Sequence, residues 1–186
     1  MLILASKSPR RAELLRTIYN GPFEIDPSGV DESQAVYDDL SQAPLAIARL
    51  KISAAFKNHP SDTVLAADTV VLQAGSLFGK PHDKDEALAM LKSLVKADHR
   101  VLTGYVIGQY GKIVSSGTVE TTLRLGFMSE TEILRYIETG SPFDKAGGYG
   151  IQDSEYITVE SIEGSLSNVM GLPTEKISEE LQKLGL

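Results

Sequence analysis

Apolar residues along this chain fall into runs whose spacing alternates between strand-like and helix-like. Leu2-Ile3-Leu4-Ala5 is a short continuous run and predicts a buried strand at 2–5. Ser8-Pro9 has the signature of a helix start, with Ser as N-cap and Pro at the first helical position. Leu14, Leu15 and Ile18 give that helix an apolar face, and Tyr19-Asn20-Gly21-Pro22 stops it. A second strand is expected at 23–26. Leu45, Ala48, Ile52, Ala55 and Phe56 follow helical spacing and predict a helix over 41–58. The strongest strand pattern runs over 63–72, where Val64, Leu65, Val70, Val71 and Leu72 surround an anomalous acid, Asp68.

In the second half of the chain, Asp83-Lys84-Asp85-Glu86 carries a capping-box pattern ahead of a stripe of Ala87, Leu88, Leu91, Leu94 and Val95. Two long strands are expected at 100–109 and 112–125, joined by a hairpin turn at Tyr110-Gly111. Ser129-Glu130-Thr131-Glu132 is a second capping box, with Met128 and Ile133 at the hydrophobic-staple positions and Gly140 as the stop. A glycine-rich stretch at 146–150 leads to Gln152. A strand at 156–162 and a last helix opened by Pro173 complete the chain. Helices alternate with strands while the middle hairpin is antiparallel, so the expected class is α/β, a mixed sheet flanked by helices. At 186 residues, without a repeat or a long linker, 1–186 reads as a single domain.

Composition narrows the chemistry. Lys plus Arg total 18 and Asp plus Glu 25, a net charge of −7, which argues against nucleic acid as a partner because duplex binding needs a basic face. There is no Cys, which removes disulfides, thiolate nucleophiles and Cys-ligated metals. Three His, at 59, 82 and 99, lack the spacing of a His-rich zinc centre. No stretch approaches the ~20 apolar residues of a membrane span and the start of the chain lacks the layout of a signal peptide, so no membrane partner and a cytoplasmic location are expected. Carboxylates, Lys, Arg, hydroxyls and a hard divalent cation remain.

Five constellations are candidates. Ser6-Lys7-Ser8-Pro9-Arg10-Arg11 sits at a strand-to-helix junction, where free N–H groups and the helix dipole attract anions. It reads either as a phosphate cradle or as a capped helix with solvated cations. Asp68 reads either as a functional acid or as a strand-end carboxylate facing water; burying a lone acid in an apolar strand is costly unless it is paired or binds metal. Lys80, in Gly79-Lys80-Pro81, and Lys51, beside apolar Ile52, are cations whose default is solvent. Asp31-Glu32 is a carboxylate pair suited to Mg2+ or Mn2+, or an exposed acidic loop. Asp144 to Gln152 combines glycines that permit close approach with a glutamine able to donate and accept, as reading a base edge requires; a plain flexible loop would also explain the glycines, though not Tyr149, Ile151 and Gln152 around them. His99 is expected to satisfy a structural hydrogen bond.

Taken together these residues resemble the Maf family of nucleoside triphosphate pyrophosphatases, also called septum formation inhibitor proteins. The matching pieces are Ala5-Ser6-Lys7-Ser8-Pro9-Arg10-Arg11 with Glu13-Leu14-Leu15, Ala67-Asp68-Thr69-Val70-Val71, Gly79-Lys80-Pro81, Thr103-Gly104, Asp144 through Gln152, and Ser167-Asn168-Val169-Met170-Gly171-Leu172-Pro173. They occur in order through nearly the whole chain. The resemblance implies two lobes around a central cleft, similar to inosine triphosphate pyrophosphatases, and hydrolysis of a nucleoside triphosphate to monophosphate and pyrophosphate with a divalent cation. It assigns Asp68 to catalysis, Ser6, Arg11, Lys51 and Lys80 to the phosphates, and Asp31, Glu32 and Asp68 to Mg2+ or Mn2+. Arg10, Thr69 and Gln152 match the subgroup acting on dTTP and UTP; modified pyrimidine nucleotides would suit the same residues. The subgroup acting on methylated guanine nucleotides carries Trp where Arg10 stands. The resemblance also implies a homodimer. Gly148 stands where Ala is more usual, Ala66 where Gly is, and Ser33 where Thr is.

The competing function is a nucleotide-binding regulator of cell division with little catalysis, which should lack the acid or the metal pair. Both are present, which favours the enzyme. Residues 1–19 hold four Lys or Arg and one Glu, 4 − 1 = +3, whereas 23–39 hold six acids and no base, −6. A basic segment followed by an acidic one suits a small polyanion carried with a divalent cation.

Overall fold

A short apolar run flanked by turns needs neighbours on both sides, and Leu2–Leu4 (β1) has them. The computed structural model describes residues 1–27 and 29–186. In it β1 is fully buried between two parallel strands, Phe23–Ile25 (β2) and Thr63–Gln73 (β3). Leu2 faces Phe23 and Thr63 in register, and Leu4 faces Ile25 and Leu65. Parallel neighbours cannot be joined by a tight turn, and Pro9–Ile18 (α1) and Ala43–Asn58 (α2) provide the crossovers. Side-chain alternation then divides the strands between two cores. Leu2, Leu4, Leu65 and Ala67 pack with Ala12 and Leu15 of α1 and with Ile177 and Leu181 of Thr174–Lys183 (α6). Ile3, Val64 and Ala66 pack with Ala48, Ile52 and Ala55 of α2.

Beyond β3 the chain continues through Ser76–Phe78 (β4), Lys84–Leu94 (α3), Asp98–Gln109 (β5), Lys112–Leu125 (β6), Glu130–Glu138 (α4), Val159–Glu163 (β7) and Leu166–Met170 (α5). Among the described residues seven strands form one mixed sheet, ordered β2-β1-β3-β5-β6-β7, with β4 paired to β3. β4 lies antiparallel on β3, and β7 antiparallel on β6 with an irregularity between Arg124 and Leu125. The turn between β5 and β6 has positive φ at both central residues, 51° at Tyr110 and 70° at Gly111, the twist a two-residue hairpin prefers. No helix among the described residues is long and apolar enough to cross a membrane.

The chain divides into two compact units. One comprises Met1–Asp68, Thr103–Val119 and Gly171–Leu186; the other comprises Thr69–Leu102 and Glu120–Met170. The first holds the two cores around β1. The second has its own, in which Ala87, Leu91 and Leu94 of α3 meet Ile133, Tyr136 and Ile137 of α4.

Most expected elements stand where periodicity puts them, and the differences have local causes. The strand expected from 156 begins at Val159, because the carbonyl of Asp153 accepts from the N–H groups of Tyr156 and Ile157 at 2.9 and 2.8 Å and takes them out of the ladder. The capping box at α4 is complete, with the Ser129 side chain on the Glu132 N–H and the Glu132 carboxylate on the Ser129 N–H. At α3 only half of it forms. Asp83 accepts from the Glu86 N–H, but the Glu86 carboxylate binds the N–H of His82, one residue before the cap. Helix α5 is only five residues long, too short for the spacing of Leu166, Val169 and Met170 to announce it.

Gly104, in β5, is where a strand lies against the first turn of α2. A Cβ there would meet the backbone of Pro44 and Leu45 closer than real atoms approach, and backbone cannot swing aside as a side chain can. We expect Gly104→Ala to cost about 1–3 kcal/mol of stability. The urea midpoint measures it, and an unchanged midpoint would mean that α2 moves away freely.

Candidate active site

The first unit holds seven of the ten expected residues, Ser6, Arg10, Arg11, Asp31, Glu32, Lys51 and Asp68. Ser8 caps α1, accepting from the Arg11 N–H at 3.5 Å, and Pro9 follows as expected. The first turn of α1 carries no acid to offset the positive end of its dipole, an arrangement that suits an anion. Ser6, buried just before it, accepts from the Ser8 N–H at 3.2 Å. Arg11 is only 9% exposed. Its Nε donates to the carbonyl of Gly171 at 2.8 Å and its Nη1 to Ser6 Oγ at 3.2 Å. Burial lowers the Arg11 pKa from its ordinary value, with the charge of Asp68 acting the other way. Arginine starts so high that it stays charged throughout. Arg10, one residue earlier, is half-buried, while Lys7 is exposed.

Asp68 is 8% exposed in the middle of β3, which runs on to Gln73, so it is not a strand-end acid turned to water. Alternation along β3 puts it on the side of Val64 and Ala66, the side packed by α2. There Lys51 meets it. Nζ of Lys51 lies 2.6 Å from Oδ1 of Asp68 and 2.8 Å from Oε1 of Glu32. Lys51 therefore departs from the default of a solvated helix face; its side chain is 11% exposed. Its position explains this, three residues after Ala48 and four before Ala55, on the buried stripe of α2. Burial pushes the Asp68 carboxyl above its ordinary value, the charges of Lys51 and Arg11 pull it only part of the way back, and Glu32 adds to the rise.

The acidic pair divides its duties. Asp31 caps the short turn Glu32–Gln34, accepting from Ser33 N at 3.1 Å, Ser33 Oγ at 2.7 Å and Gln34 Nε2 at 3.3 Å. These bonds to Ser33 hold its carboxyl below the usual value. Asp31 thus fixes the turn, and Glu32 is the member that reaches Lys51. Asp68 and Glu32 converge on one positive charge from separate segments, a donor set that suits a hard divalent cation. No group of three or more His, Cys, Asp or Glu that could hold a metal occurs among the described residues. Two carboxylates with water and phosphate oxygens are a usual provision for Mg2+.

The remaining expected residues lie in the second unit. Thr69 is half-buried in β3. Lys80 is exposed, but its loop is tethered, since the Gly147 N–H donates to the Gly79 carbonyl at 2.9 Å. Gly147 has φ of 71°, and a Cβ on it would crowd Val71 and Leu94 at 2.9 and 3.1 Å. Gln152 is exposed on a turn closed by the Asp153 N–H on the Gly150 carbonyl at 3.0 Å. His99 has the structural place expected of it: Nε2 lies 2.8 Å from the Tyr149 hydroxyl and Nδ1 lies 3.1 Å from the Ala97 carbonyl. Sequence reasoning missed two supports, the Gly171 carbonyl on Arg11 and a network around Tyr136. Only the second left a trace, because a tyrosine on an apolar helix stripe needs a partner for its hydroxyl.

Similarity to known proteins places the chain in a family. A relative from Salinibacter ruber named dTTP/UTP pyrophosphatase is 44% identical over 97% of this chain and 89% of its own. One of the same name from Pyrococcus abyssi is 43% identical over 100% of this chain and 96% of its own. The solved structure of a HAM1 protein from Coxiella burnetii superposes with a TM-score of 0.55 at 12% identity, over 98% of both chains, and shares the fold. The model of the family described as Maf-like protein matches residues 1–184, and with that the chain belongs to the Maf-like family.

Proposed function

We propose that this protein hydrolyses dTTP and UTP, and related modified pyrimidine nucleotides, to the monophosphate and pyrophosphate, clearing the nucleotide pool. The observation that carries the reading is Asp68, a buried carboxylate with a raised pKa, paired through Lys51 with Glu32. The names of relatives above 40% identity supply the substrates.

In this mechanism a water oxygen attacks the α-phosphorus. The bond from that phosphorus to the bridging oxygen breaks, and pyrophosphate leaves with the electron pair. Asp68 orients the water and takes its proton; a carboxylate with a raised pKa is the better base. Arg11, set by Ser6 and Gly171, stabilises charge on the phosphoryl oxygens. Asp68 and Glu32 would hold Mg2+ or Mn2+, which when bound neutralises phosphate charge and acidifies water. The roles of Lys80 on phosphate, and of Arg10, Thr69 and Gln152 in substrate choice, come from the resemblance. The reading includes a cytoplasmic homodimer without a nucleic-acid partner; the net charge of −7 supports the last point.

Pyrophosphate release from dTTP and UTP, with Mg2+ or Mn2+ and without, is the direct test. Release under none of these conditions would favour a nucleotide-binding regulator. Asp68→Asn should lower turnover by about 100-fold or more, the usual worth of a positioned base, with far-ultraviolet circular dichroism unchanged. A wild-type rate would remove the assignment.

The raised pKa has a sign that can be read. Asp68 must lose its proton to act, so kcat/KM should fall on the acid side, with a midpoint above the ordinary 3.8 at subsaturating Mg2+ that moves down as the cation binds. The residual activity of Asp68→Asn should lack that limb, and a limb unchanged in the variant would assign it to the nucleotide. Finally, Glu32→Gln should raise the Mg2+ concentration needed for half-maximal rate far more than Asp31→Asn, whose carboxylate is used within its own turn. Equal effects would return Asp31 to the metal.

A further inference from the structure

Gln152 is exposed, and its surroundings are rich in glycine, which ordinarily leaves a chain mobile. A side chain that reads a base must be held before the base arrives, or ordering it consumes the discrimination it provides. In the second unit the turn that carries Gln152 is held at both ends. The hydroxyl of Tyr136, on α4, accepts from the Gly150 N–H at 3.1 Å and donates to Oδ2 of Asp153 at 2.6 Å. Gly150 and Asp153 are the two ends of the turn that carries Gln152. One phenol oxygen therefore holds both ends.

The clamp is itself anchored. Tyr136 is fully buried, and its ring stacks on Tyr156 with centroids 5.3 Å apart. Oδ2 of Asp153 accepts a second bond from the Ser141 hydroxyl at 2.7 Å. Ser141 Oγ in turn accepts from Nζ of Lys145 at 2.7 Å, and the ammonium also donates to the Ser141 carbonyl at 2.7 Å and to Asp144 at 2.8 Å. Each hydroxyl donates once and accepts once, so the donor directions are consistent through the network. Gly150 supplies the space: a Cβ there would come within 2.7 Å of the Gln152 amide nitrogen and 2.5 Å of Lys145 Cε. The amide of Gln152 lies folded against the clamped turn.

We infer that Tyr136 is a positioning residue for base selection, fixing the turn at Gly150 and Asp153 so that Gln152 presents its amide in one place. This rests on the reading of Gln152 as the base-facing residue. Tyr136 itself need not touch substrate. A residue acting only on pose should alter discrimination between bases and leave the rate on saturating substrate nearly unchanged.

Four proteins make the test: wild type, Tyr136→Phe, Gln152→Ala and the double variant, each assayed for kcat and KM on UTP, dTTP and CTP. Phenylalanine keeps the buried ring and its stacking and removes only the hydroxyl. Tyr136→Phe should raise KM for UTP and dTTP about five- to tenfold, as expected for losing one or two net hydrogen bonds, with kcat close to wild type and the preference over CTP narrowed. The double variant should be no less selective than Gln152→Ala. Exchange of the Gly150 amide, followed by nuclear magnetic resonance, should speed up in Tyr136→Phe. Should that variant fold poorly, Asp153→Ala opens the clamp from its other side and should narrow the preference likewise.

Wild-type selectivity in a folded Tyr136→Phe, beside a loss in Gln152→Ala, would overturn the clamp and leave the base-reading role of Gln152 standing. Additive losses in the double variant would overturn it too, by showing that Tyr136 acts elsewhere. Unchanged selectivity in Gln152→Ala would overturn both.

Discussion

The contact on which the candidate site depends is the ammonium of Lys51 set between Asp68 and Glu32. A carboxylate cannot be buried in an apolar strand alone, because the desolvation penalty exceeds anything the neighbouring Ala and Val side chains return. β3 buries one nevertheless, and α2 answers with a lysine on its own buried stripe. A buried ion pair is weak ground for a stability argument, since apolar residues of the same size often serve as well. Here the pair leaves an acid with a raised pKa, an amine within 2.8 Å of two carboxylates, and a buried arginine nearby in charge terms. Such groups cluster where chemistry is done.

The two units use hydrogen bonding for different ends. In the first, charged groups are the content of the site, and neutral groups aim them. The Gly171 carbonyl and Ser6 Oγ direct the Arg11 guanidinium, and the backbone and hydroxyl of Ser33 hold Asp31 so that Glu32 points away from its own turn. In the second, Lys145, Asp153, Ser141 and Tyr136 bind one another and are themselves the scaffold. Burial and the neighbouring Asp153 carboxylate push the Tyr136 phenol far up, so it remains protonated and its donor stays on Asp153 across the working pH range. The first arrangement leaves charge available to a ligand, and the second leaves shape.

Periodicity and caps made most of the fold legible. The Ser8-Pro9 start, the Ser129–Glu132 box and the Tyr110-Gly111 turn are local signals, and each operates locally in the structure. The boundaries that shifted did so where a group chose a partner no window shows, as when the Asp153 carbonyl took two N–H groups from the start of β7. Site residues followed the same division. Asp68 was conspicuous because it breaks the strand pattern. Lys51 looked ordinary because a helix stripe of Ala, Ile and Ala does not say that a strand acid waits opposite. Which of Asp31 and Glu32 its own turn engages is legible only from coordinates. Gly171 and Tyr136 act through contacts 160 and 14 residues away in sequence, so no local window pairs them with their partners.

Register ties these observations together. The pairing of Ile3 with Val64 and of Leu4 with Leu65 sets which side of β3 each residue occupies. Alternation then leaves Asp68 on the α2 side, with Ala67 on the opposite side among Leu4 and Leu15. A slip of one residue would exchange them. It would drive a carboxylate into a core of Leu, Ile and Ala and leave Lys51 and Glu32 facing a methyl group. The alternative registers are therefore penalised by the same charge that is proposed for the chemistry. The acid that looks like a defect in the strand pattern is also part of what makes the pairing of β1 with β3 unambiguous.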